Sequence, residues 1–400
     1  MAIDLCLTPE QKQLQQKARD FAKNEIQPIV KQIDESDDPH LVPWELCQGV
    51  FDKGAKLGFT SLLLPQEYGG QGRKCIDFAL VQEELGAVDT SIACSYFSLT
   101  SVMPLLIARA GSSEQQHRLL SYVNFEQPLL FSAAESEPNV ATSDIFCPIP
   151  DAQIGMKTVA QRDGDTYILN GKKSSLVTNA GIADAYFIIA RTDLNQPMRD
   201  SMSIFYVKAD TPGLTFGERT EMMGWKASHH AAIHLDNVRV SAENLIGGQE
   251  GQAGFQLMLL PEVAIGLAAS YVGLARAAYE CALNYAKQRI SWGRPLIEHQ
   301  AVALKLANMM VDAQAARLMV WDAACAADTD PQLAATVKAP AAKTFAVDVA
   351  IKNAETAVEI FGGYGVTKNS IASKLLADAW IGYSCDFARD ILRLGLVNFM

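Results

Sequence analysis

A chain of 400 residues with 49% hydrophobic and 20% charged side chains exceeds what one core usually organises, and its composition excludes disorder. The formal net charge of −11 argues against a nucleic-acid partner, yet leaves room for a small anionic ligand in a locally basic pocket. No uninterrupted apolar run reaches the length of a membrane span, residues 1–10 lack a signal-peptide pattern, and the eight Cys form no C-x-x-C pair, so a cytoplasmic protein with reduced thiols and no membrane partner is expected.

Thr8, Pro9 and Gln11 mark a helix start, with Thr as N-cap, Pro at the first helical position and Gln closing a capping box. Leu14, Ala18, Phe21, Ala22, Ile26 and Ile29 then recur at three and four, and Pro28 is expected to stop or bend that helix. A second helix is predicted over 43–57, ending at Gly58. Residues 62–72, LLLPQEYGGQG, lack the G-x-G-x-x-G spacing and a strand–helix frame, so they predict a turn and not a phosphate cradle. Helices over 77–86 and 90–110 complete a helical N-terminal domain, 1–125.

From Pro128 the texture changes. Short β-rich runs at 129–133, 157–160, 167–169, 185–190, 203–207 and 232–235 are separated by turn signals, which predicts a β domain over 126–245, a small sandwich or barrel. The remainder is Ala-rich. Four helices, at about 256–291, 298–328, 333–361 and 370–398, read as a four-helix bundle over 246–400. The fold class is therefore α+β and mostly α, in the order helical domain, β domain, helical bundle.

Few local patterns carry chemistry. His229, His230 and His234 lie in a strand region without Cys or acidic company, so no metal site is expected. There is no G-x-S-x-G, no P-loop and no dinucleotide fingerprint. The hydroxyl-rich loop at 135–144, ESEPNVATSD, can offer backbone N–H groups to a phosphate but is by itself an ordinary polar turn. Asp386, Arg389, Asp390 and Arg393 recur at i, i+3, i+4 and i+7, which places them on one face of the last predicted helix.

Seven segments, in order, carry more weight together: LLPQEYGGQG at 63–72, EELGAVDTS at 83–91, SEPN…SD at 136–144, GKKSSLVTNAG at 171–181, DNVRV at 236–240, YAKQRISWGRPLIEHQ at 285–300 and EIFGGYG at 359–365. With them the chain resembles the acyl-CoA dehydrogenase flavoprotein family over nearly its whole length. The resemblance implies FAD, with Ser136, Thr142 and Thr178 on the flavin side. It implies Arg289, Trp292 and Gln300 on the adenine and diphosphate portion of a neighbouring subunit's FAD, joined by Glu359, Gly362 and Gly363. A homotetramer, or at least a dimer, follows from such shared sites.

The resemblance also places Asp386 where most of the family has its catalytic Glu, with Glu262 as a second candidate base and Ser143, Phe387 and Arg393 on the substrate. The implied reaction is α,β-dehydrogenation of an acyl thioester, with electrons passing to an electron-transfer flavoprotein. A base for this step is a desolvated carboxylate of raised pKa. Several positions depart from the family pattern: Phe387 replaces a Gly, Ala388 replaces a Thr, and the Trp beside the flavin is missing from 174–178, which holds one extra residue. A nitroalkane-oxidase-like flavin oxidase that uses Asp386 as base, and a non-catalytic flavin-binding member, are the alternative readings.

Overall fold

The computed structural model describes residues 7–36, 38, 41–121, 128–147 and 149–397; residues 1–6, the boundary near 125 and the predicted helix end at 398 lie outside them. Helix α1 (Pro9–Phe21) starts at the expected capping box, with the Thr8 hydroxyl accepting from the Gln11 N–H and the Gln11 side chain accepting from the Thr8 N–H. Pro28 does not stop the chain. A π-type turn over Ala22–Ile26 precedes it, and the helix resumes as Gln27–Asp34. Helix α2 is Pro43–Lys56, followed by Gly58 at φ +85°.

Helix α3 (Cys75–Gly86) is buried along its whole length. Helix α4 runs through Thr90–Ile92, a π-type turn over Ala93–Ser98, and Leu99–Ala110. Contrary to expectation, α4 is long and apolar enough to cross a membrane, but nearly all of it is packed inside the core. Helix α5 (Ser113–Leu120) carries a second capping box, Ser112 with Gln115.

The middle of the chain forms one seven-stranded mixed sheet: β1 (Phe131–Ala134), β2 (Val159–Asp163), β3 (Thr166–Thr178), β4 (Ala185–Arg191), β5 (Met202–Lys208), β6 (Leu214–Phe216) and β7 (His230–Ser241). The path is β1-β4-β2-β3-β7-β6, with β5 on β4. Strand β4 is buried at every position, with β1 parallel to it on one side and β5 antiparallel to it. The extra residue of β3 becomes a bulge. Lys173 pairs with Ile233 and Val177 with Ala231, so residues 174–176 face a single residue of β7.

The C-terminal part holds α6 (Pro261–Gln288), the hairpin β8 (Ile290–Ser291) and β9 (Arg294–Pro295), α7 (Gln300–Thr329), α8 (Ala339–Phe361), α9 (Ile371–Ser384) and α10 (Arg389–Val397). The single helix expected over 370–398 is thus two helices separated by residues 385–388. Asp386 is not on the helical face of Arg389, Asp390 and Arg393. Both arginines instead reach Asp348 on α8, at 2.8 Å from Arg389 and 2.5 Å from Arg393.

The segment at 83–91 locks the two helical parts together. A Cβ on Gly86 would come within 2.4 Å of the Ser270 carbonyl oxygen, and one on Gly273 within 2.2 Å of the Glu83 carbonyl oxygen, so α3 and α6 touch backbone to backbone. Glu83 and Glu84 are buried at this crossing. Arg276 of α6 reaches both, Arg19 of α1 takes Glu84, and Arg317 of α7 takes Glu83 at 2.7 Å. Buried carboxylates on three arginines from three helices are costly to strip of a partner, by about 3–5 kcal/mol each.

Candidate functional site

The break between α9 and α10 is the chemical centre. Asp386 has φ +47° and Phe387 φ +67°, left-handed values that a residue with a Cβ adopts at a cost of about 1–2 kcal/mol. This explains why a Gly would suit position 387. The turn is held from outside: Lys343 of α8, itself buried, donates from Nζ to the Cys385 carbonyl at 2.6 Å and the Phe387 carbonyl at 2.7 Å. On the opposite side the Ser143 hydroxyl accepts from the Ala388 N–H at 2.8 Å, and the Phe146 ring lies 5.0 Å from that of Phe387. The loop after β1 and the turn at 385–388 therefore form facing walls.

Asp386 has an exposed surface yet is crowded by protein, the condition of a group on the floor of a crevice. Burial raises its pKa, and the Lys343 ammonium partly opposes that rise. Among the described residues its carboxylate has no hydrogen-bond or ion-pair partner, so it is free to take a proton from a molecule in the crevice. Glu262 is placed differently. It is buried on the first turn of α6, and Arg109 of α4 clamps both its oxygens, at 2.8 Å from Nη1 to Oε2 with Nη2 on Oε1.

The remaining residues singled out in the sequence fall into two groups. Ser136 and Thr178 lie on the loop after β1 and at the end of β3, and the Ser136 and Ser174 hydroxyls are 2.7 Å apart across that loop and the β3 bulge. Thr178 ends β3, and its Oγ1 is 3.2 Å from His230 Nε2, while Ser228 Oγ is 3.0 Å from the other ring nitrogen. Burial, with His229 and Arg219 nearby, pushes the His230 pKa down to about 4, so the ring is neutral and serves the Thr178 hydroxyl. Asn179, at φ +62°, anchors this strand end by donating to the Ser95 and Phe131 carbonyls. Thr142 and Ser143 open a short turn on the loop, Thr142–Phe146. No group of three metal-ligating side chains occurs among the described residues.

The second group is gathered at the other end of the bundle. Arg289, Trp292 and Gln300 are exposed on and beside the β8–β9 hairpin, and Trp292 at φ +48° is 94% exposed. Glu359, Gly362 and Gly363 sit at the end of α8, which Tyr285 joins to the hairpin base by stacking on Phe361 at 4.2 Å. Glu359 pairs with Lys305 of α7. Gly362 has φ +61°, and a Cβ on either Gly362 or Gly363 would meet nothing within 4 Å, so the backbone here is open to a ligand. Arg393 belongs to neither group, since it is spent on Asp348.

One residue that holds the 385–388 turn escapes sequence reasoning: Lys343. Lys343 had a signal. It falls among Ala339, Ala342, Ala346 and Ala350 on the buried face of an Ala-rich helix, where a lone Lys needs acceptors.

Comparison with known proteins gives one answer. The family description "Acyl-CoA dehydrogenase, N-terminal domain" matches residues 8–124, the middle domain 136–238 and the C-terminal domain 254–386. An acyl-CoA dehydrogenase of Bacillus subtilis (strain 168) is 32% identical over 403 residues, covering 98% of each chain. The structure of butyryl-CoA dehydrogenase from Megasphaera elsdenii superimposes with a TM-score of 0.88 at 30% identity, covering 99% of both chains. A chain in a structure of the electron transferring flavoprotein of Acidaminococcus fermentans does so with the same TM-score, 0.88, at 30% identity and 99% coverage of both.

Proposed function

This chain belongs to the acyl-CoA dehydrogenase family, FAD-dependent oxidoreductases acting on CH–CH groups, and we propose that it dehydrogenates an acyl-CoA with Asp386 as the base. The observation that carries this reading is the contrast between the two carboxylates: Asp386 is crowded, of raised pKa and without a partner among the described residues, while Glu262 is clamped by Arg109. The α-hydrogen of a thioester is a weak acid, and a desolvated carboxylate is the stronger base for it. Asp386 takes that proton onto a carboxylate oxygen. Lys343 keeps the turn rigid and places a positive charge near the carboxylate, which favours its ionised form.

The residues present fit FAD. Hydroxyls of Ser136, Thr142 and Thr178 and the uncovered backbone at Gly362 and Gly363 offer hydrogen-bond donors and close approach to a ring and a diphosphate. When bound, FAD supplies the acceptor for the hydride leaving the β-carbon. The exposed Arg289, Trp292 and Gln300 suit a dinucleotide held by a neighbouring copy, so the working state is a homotetramer or dimer. Exposed Leu304, Met310 and Val311 along α7 support such packing. Electrons then pass to an electron-transfer flavoprotein.

The test is the visible spectrum of the purified protein, followed without oxygen while acyl-CoAs are added one at a time. Flavin bands that bleach with an acyl-CoA are the expected result. Flavin bands indifferent to every acyl-CoA overturn the substrate class, and fast reoxidation in air points to an oxidase instead.

A further inference from the structure

The direction of the Thr178 hydroxyl is set by a chain of contacts behind it. The chain starts at Trp225, a residue at φ +54° whose N–H donates to the Asp378 carboxylate of α9 at 2.6 Å and is held there. The Ser228 hydroxyl donates to the Trp225 carbonyl at 2.7 Å and lies 3.0 Å from His230 Nδ1. His230 Nε2 in turn lies 3.2 Å from Thr178 Oγ1. Ser228 and His230 are buried, while Thr178 is partly exposed.

A hydroxyl has one proton and a neutral imidazole one N–H, so the protons along this chain can be assigned. Were the Ser228 proton spent on His230, the Ser228 and Trp225 oxygens would face each other at 2.7 Å with no hydrogen between them. With that proton on the Trp225 carbonyl, Ser228 accepts from His230 Nδ1–H, and the tautomer follows: Nε2 carries the lone pair. Burial, with His229 and Arg219 nearby, keeps the ring neutral. Thr178 therefore donates to Nε2. Among the described residues its Oγ1 makes no other hydrogen bond, so its lone pairs are left for a ligand.

We propose that His230 is a positioning residue: with Ser228 it fixes the Thr178 hydroxyl as a hydrogen-bond acceptor toward bound FAD and so favours the reduced cofactor. The oxidised flavin ring meets its surroundings mostly with acceptor atoms, and reduction by a hydride adds N–H donors. A hydroxyl that can only accept opposes the first and bonds the second. A hydroxyl without His230 behind it is free to turn and donate to the oxidised ring. The inference rests on the FAD reading above and adds to it the direction of one hydrogen bond.

The test is the reduction potential of bound FAD, measured on the substrate-free holoenzyme against a reference dye. Wild type is compared with His230→Phe, Ser228→Ala, Thr178→Val, and His230→Phe combined with Thr178→Val. His230→Phe is expected to lower the preference for reduced over oxidised FAD by about tenfold, a fall of about 30 mV for a two-electron couple. Ser228→Ala strands Nδ1–H and releases the other tautomer, so it should shift the potential the same way by about threefold. In the Thr178→Val background His230→Phe should change the preference by less than about twofold, because it acts through the hydroxyl. A potential that stays or rises in His230→Phe, or falls equally with and without the Thr178 hydroxyl, overturns the proposal. Should His230→Phe fail to fold, Ser228→Ala decides: an unchanged or raised potential there overturns it as well. A wild-type protein that takes up no FAD fails the FAD reading itself.

Discussion

Two carboxylates of this chain, Glu262 and Asp386, began as rival bases, and the structure gives them opposite surroundings. Glu262 is buried at a helix start and chelated by Arg109, a geometry that holds α4 against α6 and engages both carboxylate oxygens. Asp386 sits in a strained turn with no carboxylate partner among the described residues, and the stabilising contacts go to the backbone around it. A structural carboxylate is satisfied through its side chain. The proposed base is positioned through its main chain, and its side chain has no partner among the described residues.

The largest effect expected from breaking this contrast is on rate. Asp386→Asn removes the base without changing shape, so flavin reduction by a substrate acyl-CoA should slow by about 10³-fold with the flavin spectrum unchanged. Glu262→Gln should do the reverse. It strands the partly buried Arg109, and a denaturant or thermal melt should report a loss of about 3 kcal/mol, while the rate of flavin reduction in the folded protein stays within a few-fold of wild type.

A smaller effect sharpens the comparison through pH. The Asp386 pKa is raised by burial and pulled back by Lys343, so the active, ionised form is lost as pH falls through a value above the ordinary 3.8. Lys343→Met removes the opposing charge and should move the acid limb of the rate profile to higher pH, by about one unit. Lys343→Arg, which keeps the charge, should leave the limb nearer its place. Stopped-flow reduction across pH reads both.

Much of the frame was legible before any coordinates, because its signals are local. The capping box at Thr8, the Gly58 stop and the β-rich runs each depend on neighbours in sequence, and each is found. The turn at 385–388 was not legible. Arg389, Asp390 and Arg393 do have helical spacing, but the break before them is set by Lys343, 42 residues from Cys385, and by Ser143 on the loop after β1. No Gly or Asn announces the left-handed residues there. The extra residue at 174–178 was visible as a departure, whereas its resolution as a bulge facing one residue of β7 required the strand register.

The measurement that tests the central claim most directly isolates proton removal from hydride transfer. A 3-thia-acyl-CoA has sulfur in place of the β-carbon and can lose an α-proton but no hydride, so its α-carbon should acquire deuterium from D2O whenever a base is present. Mass spectrometry should show rapid α-deuteration with wild type and with Glu262→Gln, and none above background with Asp386→Asn. Exchange by Asp386→Asn at the wild-type rate, or its loss in Glu262→Gln alone, would contradict the assignment of Asp386 as the base.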